Sequence, residues 1–200
     1  MSMRCEQPGV TNGPVWTVSN ILSLLRIALT GPIILALLQN STGGNITAGI
    51  LVAAAAATDF FDGMLARRLG EVSEFGKIVD PLADKIAVAS VALALALLGR
   101  IPFWFFILAV SRDLLILSGG IRVRIATGVT LQSVPAGKWA VAVTAAALFR
   151  AIVAPDAPAA VASGLLAGST LLLAASFAVY ARRFSVVMRE HRLEPDGISR

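Results

Sequence analysis

Asp59, Asp62, Asp80 and Asp84, with Gly63, Ala66, Arg67 and Gly76 between them, spell D-x2-D-G-x2-A-R-x8-G-x3-D-x3-D within a strongly apolar chain. A carboxylate at bilayer depth costs roughly 2.5 to 3.5 kcal/mol on insertion scales. Four in one short segment persist only if something neutralises them, and divalent cations do so most directly. The set contains no His or Cys, so it is an all-oxygen site suited to hard cations, Mg2+ or Mn2+. Two such ions about 3.5 to 4 Å apart can stabilise both the attacking and the leaving oxygen of an in-line phosphoryl transfer.

Helical spacing places Asp59 and Asp62 three apart, with Gly63 and Ala66 continuing their face. Gly76, Asp80 and Asp84 fall four apart along the start of the next helix. The short connection from Arg67 to Gly76 predicts antiparallel neighbours whose Asp pairs converge just inside one membrane surface. Gly63, Ala66 and Gly76 have no bulk and leave room for a flat group such as a nucleotide. Arg67, at a helix end, can reach a phosphate. Asp84 lies deepest and can act as general base on an acceptor hydroxyl. A single intramembrane Asp is as readily a structural hydrogen-bonding residue or part of an ion path. An isolated D-x-x-D is weak evidence, and the eight-position pattern is much stronger. Pro81 frees the carbonyl of Lys77, which an ordinary proline near a helix start explains equally well.

The elements that must position these residues follow from composition. The 200 residues are 56% hydrophobic and 14% charged, with mean hydropathy +0.79. A soluble domain is about 45 to 50% apolar and about a quarter charged. Long apolar runs between short polar loops predict an all-α membrane protein with six transmembrane helices, near 19–38, 46–66, 78–98, 103–121, 139–153 and 159–181. Alternating strands of a spanning barrel are missing from the pattern. The Ala53–Ala57 run suits close helix packing. One domain is expected over 1–200, with a cytosolic N-terminal segment at 1–18 and a cytosolic tail at 182–200, a short helix or an irregular end. The N-terminal stretch has no secretory-signal pattern. Cys5, the single cysteine, fits a reducing compartment.

The net charge of +5 and pI near 10.3 do not imply nucleic acid, because the basic residues sit at span ends without a recognition motif. Arg4, Arg67, Arg68, Lys77, Arg122, Arg124, Lys138, Arg182, Arg183, Arg189 and Arg192 fall on one side, Arg100 and Arg150 on the other. That asymmetry places the first side, with both termini and the Asp motif, in the cytoplasm of a cell (inner) membrane protein.

The motif resembles the pattern of the CDP-alcohol phosphatidyltransferases at every fixed position. The stretch from Ser19 to Arg26, with Pro32, resembles the first span of the phosphatidylglycerophosphate synthases of that family. The resemblance implies six transmembrane helices, a homodimer and a polar cavity open to the cytoplasm. It implies that Asp59, Asp62, Asp80 and Asp84 hold two Mg2+ or Mn2+ ions, with Asp84 also the catalytic base. Asp62, Gly63, Ala66, Arg67 and Gly76 would bind CDP-diacylglycerol. The implied reaction is attack of an alcohol hydroxyl on the diacylglycerol-linked phosphorus, releasing CMP.

The acceptor is less sharply marked. Holding the dianion of glycerol 3-phosphate needs two or three cations, and Lys85, Arg112 and Lys138 are the candidates. Arg112 beside Asp113 is equally an internal ion pair. Ser111-Arg112-Asp113, Gly137-Lys138-Trp139 and Ile101-Pro102-Phe103-Trp104 resemble the cardiolipin synthases of the same family about as well. Those take phosphatidylglycerol as acceptor. Glycerol 3-phosphate leads as the commoner bacterial acceptor. Two other classes compete: membrane prenyltransferases, whose Asp motifs are widely separated, and cation transporters, whose acidic sites lie near the midplane of repeated halves. Neither releases CMP, and the Asp pattern does not recur after Asp84.

Overall fold

The computed structural model of the protein describes residues 18–69, 76–127 and 135–193, with side chains over 24–58, 84–123, 135 and 137–187. Among these residues the protein is all-helical, with six α-helices and no strand. They are α1 (Val18–Leu38), α2 (Thr42–Leu69), α3 (Gly76–Leu97), α4 (Phe103–Thr127), α5 (Pro135–Val153) and α6 (Ala159–Leu193). Among the described residues two stretches are long and apolar enough to cross a membrane, Phe103–Val123 and Ala159–Val187. Leu24–Leu38 and Thr42–Thr58 are shorter apolar helices. α6 continues without a break through Arg182 and Arg183 to Leu193, so the first part of the expected tail is one more stretch of that helix.

Local chemistry sets the turns. After α1, Asn40 takes a left-handed conformation (φ 45°) that the asparagine side chain tolerates better than most. Its N–H donates to Leu37 O at 3.1 Å. Ser41 then caps α2, its Oγ accepting from the Gly44 N–H at 3.1 Å. Gly44 is required here, because a Cβ would collide with the Ala36 carbonyl oxygen. α3 ends in a Schellman arrangement with Gly99 at φ 71°. Arg100 N–H donates to Leu95 O at 2.9 Å and Gly99 N–H to Ala96 O at 3.1 Å. Pro102 and Pro158 stand at the starts of α4 and α6, where their carbonyls accept the first helical bonds.

α1 packs mainly against α2 and α3, and α5 against α6, while α4 joins α6 and α3. The sequence predicts α2 and α3 as direct neighbours. Among the described residues α1 packs against both of them. Their expected convergence falls in 59–83, whose side chains lie outside the described residues.

The buried core of Leu37, Leu95, Phe105 and Ile152, with Ala48 and Ala151, lies toward the α1–α2, α3–α4 and α5–α6 turns, and Ala140 and Leu173 extend it along α5 and α6. Small residues allow that closeness: a Cβ on Gly49 of α2 would come within 2.6 Å of Val153 Cγ2 of α5. The Ala53–Ala57 run does not do this work, since Ala55 alone of the five is even half-buried. Alanine composition marks where close approach is sterically allowed, and the neighbouring helix decides which turn uses it.

Candidate active site

Asp84 lies in the first half of α3, two turns beyond Gly76. Its Oδ1 is buried and stands against the guanidinium of Arg26 from α1. Lys85, the next residue, leaves the helix in another direction and pairs with Asp113 Oδ2 of α4. The other oxygen of Asp113 accepts from Arg112 Nη1 at 2.7 Å. Arg112 is only 6% exposed, and its Nη2 donates to Ser176 Oγ of α6. Its Nε has no hydrogen-bond partner among the described residues. Four helices are thereby tied together at one level of the bundle: α1 to α3 through Asp84, then α3 to α4 and α6 through Asp113 and Arg112. A buried guanidinium is tolerable only with such partners, because unpaired charge in low dielectric is strongly unfavourable.

Gly137 helps close this level. A Cβ there would stand 3.3 Å from Tyr180 Cε2 and 3.6 Å from Ser176 Oγ, so the missing side chain lets α5 settle onto α6 beside the Ser176 hydroxyl. Thr144 and Ser169 add a second α5–α6 link, with their hydroxyls 2.6 Å apart.

Below Asp84 a cavity of about 470 Å³ runs between α3, α4 and α5. Asp84, Lys85 and Asp113 stand at one end of it, and Ile101 and Phe105 line the other. Between them the wall is apolar, formed by residues such as Val88, Leu114 and Leu148. Polar groups at the rim and a hydrocarbon-like interior suit an amphiphile.

The predicted site residues divide into three groups. Asp59, Asp62, Gly63, Ala66 and Arg67 lie on α2, and Gly76 and Asp80 on α3; their side chains, like that of Pro81, lie outside the described residues. Among the described residues no three metal-ligating side chains gather, and Asp84 is the only member of the Asp set described. Lys85 and Arg112 are brought together, on one shared carboxylate. For Arg112 the ion-pair reading therefore describes what the side chain touches. Lys138 is exposed on α5 and joins neither of them.

The contact of Arg26 with Asp84 is one the sequence pattern does not specify. An arginine inside an otherwise apolar helix was the available signal, since such a cation needs a carboxylate at its own depth. Ser176 offered no comparable signal, because a serine in a long apolar helix usually bonds its own backbone, as Ser163 does to Ala159 O at 2.8 Å.

Residues 16–188 match the model of the CDP-alcohol phosphatidyltransferases. A Mycobacterium tuberculosis protein described as a probable phosphatidylglycerophosphate synthase is 39% identical over 100 residues, 48% of each chain. The Bacillus subtilis CDP-diacylglycerol–glycerol-3-phosphate 3-phosphatidyltransferase is 31% identical over 150 residues, 67% of this chain and 77% of its own. A Streptomyces coelicolor cardiolipin synthase (CMP-forming) is 29% identical over 115 residues, 56% of this chain and 54% of its own. The chain thus spans about half the length of the mycobacterial and Streptomyces relatives that it matches. With the match running across both Asp pairs and all six helices, the chain belongs to the CDP-alcohol phosphatidyltransferase family.

Proposed function

We propose that this protein transfers the phosphatidyl group of CDP-diacylglycerol to an alcohol, most simply glycerol 3-phosphate, with release of CMP. The observation that carries the reading is the place of Asp84. The last carboxylate of the motif stands at the rim of an apolar cavity, ringed by Arg26, Lys85 and Asp113. A lipid-linked phosphate and a polar hydroxyl can meet only at such a boundary.

The acceptor hydroxyl oxygen forms a bond to the diacylglycerol-linked phosphorus as the bond from that phosphorus to the bridging oxygen breaks. CMP leaves with the bridging oxygen, and the carboxylate of Asp84 takes the hydroxyl proton. Asp62, Gly63, Ala66, Arg67 and Gly76 are assigned to the nucleotide end of the donor. The donor set of Asp59, Asp62, Asp80 and Asp84 fits Mg2+ or Mn2+, being all carboxylate. Asp84 already holds its buried oxygen against a cation, Arg26, so positive charge is accommodated there. When bound, the metal ions would supply charge neutralisation at the diphosphate.

Six membrane spans, with both termini and the Asp motif on the cytoplasmic side, complete the reading. The outward faces support it: Leu35, Leu97 and Leu171 are among many large apolar residues more than half exposed, an apolar surface that lipid can cover. The family resemblance adds a homodimer.

A specific observation favours phosphatidylglycerol as a second acceptor reading. Asp113 pairs with both Lys85 and Arg112 and offsets one of their two charges, leaving less positive charge for a free dianion, and the cavity beside them is lined for an acyl chain. The test is reconstitution with CDP-diacylglycerol and Mg2+. CMP release is followed with glycerol 3-phosphate, phosphatidylglycerol, inositol 1-phosphate, serine and inositol. Release with glycerol 3-phosphate is the expected result, and release with phosphatidylglycerol alone selects the second reading. Absence of release with every acceptor overturns the assignment.

A further inference from the structure

The end of the bundle away from Asp84 holds a second polar site with a different charge arrangement. Asp84 and the C-terminus of α3 are separated by thirteen residues, about 20 Å along a helix. Beyond that terminus the α1–α2, α3–α4 and α5–α6 turns meet around a polar cavity of about 620 Å³.

Arg100 stands at its centre. Nη1 donates to Asn45 Oδ1 at 2.8 Å and to Ile152 O at 3.4 Å, and Nη2 donates to Asn40 Oδ1 at 2.8 Å. Arg150 faces the same cavity from the last turn of α5, where Nη1 donates to Ala154 O at 3.3 Å and Pro155 O at 3.5 Å. All five acceptors are neutral oxygens. Asp156 is the one carboxylate in the wall, and it is exposed and pairs with neither arginine. Two guanidinium groups therefore share one cavity with N–H donors left over, since a guanidinium carries five.

We infer that this cavity is an anion site for a phosphate group, and that its ligand is the phosphodiester of an anionic phospholipid headgroup. Arginine forks match phosphate oxygens in geometry and charge. Asn40 and Asn45 fix one fork in place, so little side-chain freedom is lost on binding. The lipid source rests on the membrane reading above: in a spanning bundle this end reaches the opposite membrane surface, where headgroup phosphates are concentrated. The exposed Phe103 and Trp104 beside it belong at the same interface.

The test uses the full chain in neutral detergent and follows its melting midpoint with three probes. These are short-chain phosphatidylglycerol, short-chain phosphatidylcholine and inorganic phosphate, against wild type, Arg150→Gln and Arg100→Lys. Phosphatidylglycerol should raise the midpoint by several degrees, phosphatidylcholine less, and the rise should be lost in Arg150→Gln and reduced in Arg100→Lys. Loss of the rise in Arg150→Gln separates this site from any acceptor site at the other end, and Asp84→Asn should retain it. A rise with inorganic phosphate alone, lost in Arg150→Gln, overturns the lipid source and assigns the cavity to free phosphate. No rise, or an equal rise in Arg150→Gln, overturns the site. CMP release by Arg150→Gln should match wild type, so failure here leaves the proposed reaction untouched, and failure of that reaction leaves the melting shift readable.

Discussion

The two ends of the bundle handle charge in opposite ways. At the Asp84 end, Arg26, Lys85 and Arg112 each meet a carboxylate, and one of these, Asp113, serves two cations. At the Arg100 end, both arginines lie against neutral amide and carbonyl oxygens. Paired charges cancel over a few ångströms, whereas a guanidinium held by neutral dipoles keeps its outward field. The apolar cavity runs the distance between the two ends, from Asp84 and Asp113 at one to Ile101 and Phe105 at the other.

Substitutions at the two ends should separate accordingly. The largest effect is expected for Asp84→Asn, with CMP release falling by about two to four orders of magnitude while much of the CDP-diacylglycerol binding remains. Near-normal turnover would erase the distinction between the ends. Next comes Asp113→Asn, which leaves the buried Arg112 without its carboxylate. Breaking such a pair costs about 3 to 5 kcal/mol, read as a lowered unfolding midpoint, and adding Arg112→Met should recover most of it. If Asp113→Asn melts like wild type, the charge chain does not hold these helices.

Arg100→Ala removes three hydrogen bonds that join three turns. A loss of about 1.5 to 3 kcal/mol is expected, the value for one bond to a charged group, because the side chain is half-exposed. Its kcat should stay at the wild-type value, and a large fall in kcat would show that the two ends are coupled. The smallest change is expected between the ends, at the Thr144–Ser169 hydroxyl pair. Thr144→Val should cost about 0.6 kcal/mol, the average for interhelical hydrogen bonds in a membrane. A cost as large as that of Asp113→Asn would place the stabilising polar contacts in the middle of the bundle.

Some of this organisation was legible from the chain alone. Helix and turn positions are local properties, set by hydropathy, by Gly99 in its left-handed turn, and by Pro102 and Pro158 at helix starts. The predicted spans start within four residues of the helices. The ends agree less well where a helix outlasts its apolar stretch, as α6 does past Arg182. Grouping Arg100 and Arg150 on one side of the membrane followed from counting charges between apolar runs, and both arginines line the same cavity.

By itself, then, the sequence determined the helical class, the family motif with Asp84 as its last carboxylate, and which residues share an end of the bundle. All of these follow from composition and spacing along a single helix. Only the tertiary structure decided that Arg26 meets Asp84, that Lys85 and Arg112 share Asp113, and that α1 packs against both α2 and α3. Those contacts join residues up to 58 positions apart in the chain, and helical periodicity gives a side chain its face but not the partner across from it. That choice depends on how the helices pack, and here it gave the cations near Asp84 carboxylate partners while leaving those at the far end on neutral oxygens.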